Sequence, residues 1–192
     1  MGNRRVVAPL GQSSDDAFSQ LYVRYYQSIC DFCRRRVDAD AVDDTVAEVF
    51  LIAWRRLQDV PSGDEGLVWL YTVAYRVIGH EWRASARWRR LQSRARSVAP
   101  RPSCPADESI TDDDETRLVL RAAARLRRTD AEVLRLAAWE QLGIAELAAV
   151  LGISGNAAKQ RLHRAKRNLA DEYRRLAAAP NPYGHIPEGG SP

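Results

Sequence analysis

The chain has 192 residues, 45% of them hydrophobic, and a formal net charge of +4, which suits one or two small globular cores. No continuous apolar run is long enough to span a bilayer, and the amino terminus, MGNRRVVAPLGQSSDD, has only the short apolar patch Val6 to Leu10, a poor fit to a secretory signal. Three cysteines without such a signal favour a reducing, cytoplasmic setting over a disulfide framework.

Charge is unevenly spread. Arginines cluster at 83–96 and 161–175, whereas Asp112, Asp113, Asp114 and Glu115 form an acidic run. Basic blocks on helices favour a polyanionic partner.

Residues 1–14 are polar and aperiodic and read as a disordered tail. A first helix is expected from about Asp15 to Val37, with Phe18, Leu21, Tyr22, Tyr25, Ile29, Phe32 and Cys33 at i+3/i+4 spacing. The arginines at 34, 35 and 36 suit its C-terminus. A second helix, Val42 to Leu57, carries Val42, Val46, Val49, Phe50, Ala53 and Leu57 on one stripe. Asp44, Glu48, Leu51 and Arg55 lie on another, with Trp54 beside them. That second stripe fits a partner surface or a face covered by a third helix.

Gln58 to Gly66, QDVPSGDEG, is a loop rich in turn residues. A third helix follows from Leu67 to about Arg94, packing Leu67, Leu70, Ala74, Val77 and Ile78 inward. Trp69, Val73, Arg76, His80, Arg83 and Arg87 recur on another face, aromatic at one end and basic toward the other. Such a stripe can stack on bases and neutralise phosphates.

Periodicity stops over Ser97 to Thr111, where three prolines stand, so a linker over 97–116 is expected to divide domain 15–96 from domain 117–176. The second domain begins with Leu118, Leu120, Ala123, Ala124 and Leu126. Thr129 with Glu132 reads as a capping box, opening a helix Asp130 to Glu140 that packs Val133, Leu134, Leu136, Ala137 and Trp139. After Leu176 the chain is again tail-like, 177–192.

The stretch Gln141 to Leu169, QLGIAELAAVLGISGNAAKQRLHRAKRNL, reads as a helix-turn-helix. Leu142, Leu147 and Leu151 supply apolar contacts and Ala148 permits close approach. Gly152 stands where the first helix must end, and Ser154 is a good N-cap for the next. The second helix buries Ala158, Leu162, Ala165 and Leu169 and presents Asn156, Lys159, Gln160, His163, Arg164 and Arg167 on its other face. A capped helix with that face suits the major groove; the plainer alternative is a helical hairpin with a solvated basic face.

Together these segments resemble a sigma factor of bacterial RNA polymerase, of the extracytoplasmic-function group. In residues 38–57, DADAVDDTVAEVFLIAWRRL, the residues Asp43, Asp44, Glu48, Phe50, Leu51 and Trp54 match the polymerase-docking segment, while Ala47 replaces the usual Gln. In VWLYTVAYRVIGHEWRASARWRR, Trp69, Leu70, Tyr71 and Ala74 match the stretch that melts and reads the −10 element. Arg76, His80 and, in the loop, Val60 depart from the residues frequent in the family. The helix-turn-helix resembles region 4, with Ala157 and Ala158 for the usual Thr-Val.

The resemblance implies an all-α chain of two small helical domains, region 2 and region 4, acting as a transcription initiation factor. Asp43, Asp44, Glu48, Leu51 and Trp54 would bind core polymerase, whose clamp and flap regions are the expected contacts. Val60, Trp69, Arg76, His80, Arg83 and Arg87 would serve the −10 element. Asn156, Lys159, Gln160, His163 and Arg164 would read the −35 element, with Arg161 and Arg167 clamping phosphates. An anti-sigma partner covering the docking surface is a further implication; membrane insertion and a small-molecule substrate are not.

No glycine-rich phosphate loop, HExxH or Ser/His/Asp arrangement stands out, so no catalytic residue, cofactor or metal is expected. Cys30 and Cys33 would share one helix face, as half a zinc site, a redox pair or two small core residues. Two rival functions remain: a stand-alone dimeric helix-turn-helix regulator, and an interaction or redox protein built on that cysteine pair.

Overall fold

The structure, a computed structural model, describes residues 14–93 and 114–178, and at 81 and 84–93 the backbone alone. The tails expected at 1–14 and 177–192, and the linker expected at 97–116, fall largely outside the described residues, as do Cys104 and the Arg87 side chain. Among the described residues there are seven α-helices and no β-strand. The chain is all-α. It divides into two compact units, one built from α1–α3 with residues 142–158, the other from α4, α5 and α7 from Lys159 onward.

In the first unit, α1 spans Ser14–Arg34, with Asp15 and Asp16 in its first turn and Arg34 in its last, which complements the helix dipole at both ends. Ile29, Phe32 and Cys33 are fully buried. A 3-10 turn at Ala39–Ala41 leads into α2, Val42–Arg55, where the Thr45 hydroxyl donates to the Ala41 carbonyl at 2.7 Å. Val46, Val49, Phe50 and Ala53 face the core from α2, and Leu70, Ala74 and Ile78 face it from α3, Asp64–Ser93. Burying each large side chain of this kind contributes about 1.5–3 kcal/mol. Phe32 stacks on Tyr71 with ring centroids 4.9 Å apart, and the Arg36 guanidinium lies 3.6 Å from the centre of the Phe32 ring while donating to the Phe32 carbonyl. The C-terminal end of α1 is thus tied to α3 by three stacked planar groups.

Cys30 and Cys33 are buried free thiols inside this core. Their burial fits the reading of two small core residues.

The same unit holds α6, Ile144–Leu151, and the start of α7, Gly155–Ala177. Gly152 ends α6 in the left-handed conformation, φ +64° and ψ +39°, while the Ile153 N–H returns to the Ala148 carbonyl at 3.0 Å. Ser154 then caps α7, its hydroxyl oxygen accepting from the Ala157 N–H at 3.2 Å. The turn expected from the sequence is therefore formed by Gly152 and Ser154. At the other end of α6, the Glu146 carboxylate accepts from the Gly143 N–H at 2.7 Å.

In the second unit, α4 is Asp114–Arg125 and α5 is Arg128–Ala138. Ala122, Val133, Leu136, Ala165 and Leu176 are buried; alanines at 122 and 165 leave room for close helix contact. Two expectations are corrected here. The Thr129–Glu132 capping box does not form, because α5 starts earlier, with Arg127 at its N-cap; Glu132 is buried and receives Arg135 at 3.3 Å. Trp139, expected to pack, is 50% exposed at the C-cap of α5.

Candidate nucleic-acid and polymerase interfaces

The outer face of α2 carries every residue assigned to polymerase docking. Asp43, Asp44 and Glu48 are exposed, Leu51 is 46% exposed and Trp54 41%. Large apolar side chains held open beside carboxylates form the mixture of anchor and rim that protein interfaces use. Trp54 is held from below, its ring edge-on to Phe18 at 5.0 Å. Tyr22 lies 4.7 Å from Phe50 and 4.9 Å from Tyr26, centroid to centroid. Both tyrosines are exposed rather than core residues, so α1 widens the aromatic surface beyond α2. Tyr22, placed with Ile29 and Cys33 on the core stripe by its spacing, is instead exposed, because that stripe leaves the core toward the N-terminal end of α1.

Between α2 and α3 the loop is pinned at several points. Val60, expected at the −10 element, is 0% exposed, an aliphatic side chain turned inward that anchors the loop. The Tyr25 hydroxyl donates to the Gly63 carbonyl at 2.8 Å. Burial pushes the Tyr25 phenol above its ordinary range and Asp64 adds to the effect, while Arg24 opposes it, so the group stays a protonated donor at neutral pH. Gly66 is required by contact, since a Cβ there would stand 2.7 Å from the Pro61 carbonyl oxygen.

On α3, Trp69 is half-buried and has the Arg56 guanidinium 5.8 Å from its ring centre, with Arg56 also paired to Asp59 at 2.8 Å. Arg76, His80 and Arg83 are exposed and share one helix face with Trp69 by their spacing. One aromatic followed by three basic or ionisable groups along about 20 Å of helix can stack on a base and neutralise phosphates.

On α7, Asn156, Lys159, Gln160, Arg161, His163, Arg164 and Arg167 are all exposed, while Ala158 and Ala165 are fully buried. The opposition of these faces comes directly from the 3.6-residue period. Arg164 is distinct from its neighbours: its guanidinium reaches the Asp130 carboxylate at 3.4 Å, and Asn168 donates to the other carboxylate oxygen at 2.7 Å. Asp130 is 4% exposed at its side chain and was not among the residues singled out from the sequence.

Comparison with known proteins now identifies the chain. Residues 116–169 match the family described as Sigma-70, region 4. The ECF RNA polymerase sigma factor SigL of Mycobacterium tuberculosis is 32% identical over 134 residues, a match spanning 69% of this chain and 74% of SigL. The chain belongs to the ECF sigma factors. The probable RNA polymerase sigma factor RfaY of Xanthomonas campestris pv. campestris is 31% identical over 141 residues, covering 70% of this sigma factor. The chain spans about a third of that relative's length, 34%. In structure, the sigma factor RpoE of Bartonella quintana, solved in complex with the anti-sigma factor NepR, matches with a TM-score of 0.63 at 19% identity, over 82% of this chain and 96% of that one, and so shares the fold.

Proposed function

We propose that this sigma factor binds the core of bacterial RNA polymerase and directs it to specific promoters. The observation that carries this reading is α7: a capped helix with a buried alanine seam and seven exposed polar or basic residues, all seven inside the segment that matches region 4.

In this mechanism α7 enters the major groove near −35. Lys159, Gln160 and His163 reach base edges with Asn156, and each good bidentate contact gives about 1–3 kcal/mol of discrimination. Arg161 and Arg167 bind phosphates and set register. Arg164, already engaged by Asp130, offers the outer edge of its guanidinium. The Asp43, Asp44, Glu48, Leu51 and Trp54 surface holds core polymerase, with Tyr22 and Tyr26 at its border. The loop before α3 and the Trp69, Arg76, His80 and Arg83 face receive the displaced strand at −10. Unstacking a base costs a few kcal/mol, offset by stacking and hydrogen bonds in the site that receives it. The chain catalyses no chemistry; sigma factors are not enzymes.

An anti-sigma partner covering the α1–α2 aromatic surface belongs to the same proposal, supported by the RpoE likeness and by the exposure of Leu51 and Trp54. No described helix is long and apolar enough to cross a membrane, and a role with polymerase and promoter DNA places the work in the cytoplasm. Membership of the sigma family disfavours the stand-alone dimeric regulator.

Size-exclusion chromatography with core polymerase tests the docking step. The wild-type chain is expected to co-elute with the enzyme and Trp54→Ala to elute alone; a Trp54→Ala chain that still co-elutes removes α2 from the interface.

A further inference from the structure

The loop between α2 and α3 has one fully buried side chain, one backbone carbonyl held from α1 and another closely approached by Gly66 of α3. Val60 is fully buried. The Gly63 carbonyl accepts the Tyr25 hydroxyl at 2.8 Å from α1, 38 residues away in sequence. The Pro61 carbonyl oxygen sits so close to Gly66 that a Cβ there would come within 2.7 Å of it and within 3.7 Å of both the Tyr25 ring and Val60. The surface ion pair Arg24–Asp64, 3.3 Å and exposed on both sides, adds little to this hold. With Val60 turned inward and Asp59 paired to Arg56, the exposed hydrogen-bonding side chains left on the loop are Gln58 and Ser62.

We propose that Tyr25 and Gly66 are positioning residues that fix this loop in its base-selecting shape, and that Ser62 and Gln58 are its specificity-determining groups at the −10 element. The proposal rests on the reading of the loop as the segment that receives the displaced strand. A loop built in advance loses less freedom when a base arrives, and it holds its donors and acceptors where only some bases can satisfy them. Tyr25 touches no nucleotide in this scheme; it acts through the Gly63 backbone. The sequence assigns −10 contacts to Val60 and to the Trp69–Arg87 face of α3; the proposal adds Tyr25 of α1.

The test is run-off transcription by the full chain with core polymerase on promoters randomised across −10, with the intact −35 element as internal control. Tyr25→Phe removes one hydroxyl and keeps the ring. It is expected to relax the preference at the loop-read −10 base about two- to tenfold, the range of a single hydrogen bond, with −35 preference and co-elution with polymerase unchanged. Gly66→Ala is expected to relax it further, and Ser62→Ala to change which base is preferred at that position. Should Gly66→Ala fail to fold, Tyr25→Phe decides alone. An unchanged −10 profile in Tyr25→Phe overturns the clamp, and so does a parallel loss of −35 preference and polymerase binding, which marks a general folding defect. Wild-type protein that selects a −35 element but no −10 base overturns the strand-receiving reading itself, and the two failures are thereby distinct.

Discussion

Asp130, in the first turn of α5, accepts a 2.7 Å hydrogen bond from Asn168 of α7 while its other oxygen faces Arg164 at 3.4 Å. A nearly buried carboxylate is costly unless charged or polar donors surround it, so this contact fixes how α7 rolls against α5. It also occupies Arg164, one of the cations on the face of α7 proposed to meet DNA.

Replacing Asp130 with Asn separates those two roles. The variant is expected to lose about 1–3 kcal/mol of stability, the range for a charge-assisted hydrogen bond, read as a lower melting temperature. It also frees the Arg164 guanidinium for phosphate. The slope of log K against log salt for duplex binding should steepen by about 0.9, the increment for one added phosphate contact. An unchanged slope would mean that Arg164 is already engaged with DNA in the wild type.

Phe50 and Trp54 stand one helical turn apart on α2, and their substitutions should part cleanly. Phe50 is buried at the centre of the aromatic cluster, so Phe50→Ala is expected to cost about 3–5 kcal/mol and to lower expression and melting temperature together. Trp54→Ala, at an exposed position, should change melting only slightly and remove polymerase binding. Thermal melts paired with chromatography of the complex separate the two.

Much of the fold was legible because its signals are local. The i+3/i+4 stripes gave the helices, and Gly152 with Ser154 gave the turn, since a left-handed residue and a capping hydroxyl leave clear marks. Residues whose environment depends on distant partners were not legible. Val60 looks like any loop residue until α1 and α3 close over it, and Asp130 looks like a solvated acid until Asn168 arrives from 38 positions on. The Thr129–Glu132 pair fits a capping box in sequence, but the helix begins two residues earlier than that box requires. The exposed groups of the candidate sites were more readable, because they sit on helices whose phase was known.

The burial of Val60 has a direct consequence. Val60→Ala is expected to destabilise the fold by about 2 kcal/mol through lost burial and a residual void, and to weaken −10 use only as far as the loop loosens. A Val60→Ala chain of wild-type melting temperature with altered base preference would show the side chain facing the base after all.

At the helix-turn-helix, Gly152→Ala puts a Cβ on a residue with φ +64° where nothing stands within 4 Å of it. The cost is therefore conformational, about 1–2 kcal/mol. Ser154→Ala removes the cap on Ala157 at about 1 kcal/mol. Denaturant midpoints check both, and −35 binding at temperatures well below melting should survive in each.

The most direct test of the whole account is run-off transcription by bacterial core polymerase on a library of randomised promoters, with and without this chain. The account expects transcripts from a subset of promoters sharing −35 and −10 sequences, absent without the chain and abolished by Trp54→Ala and by Lys159→Ala. No promoter-specific transcripts, with the chain binding a palindromic duplex unaided, would contradict it.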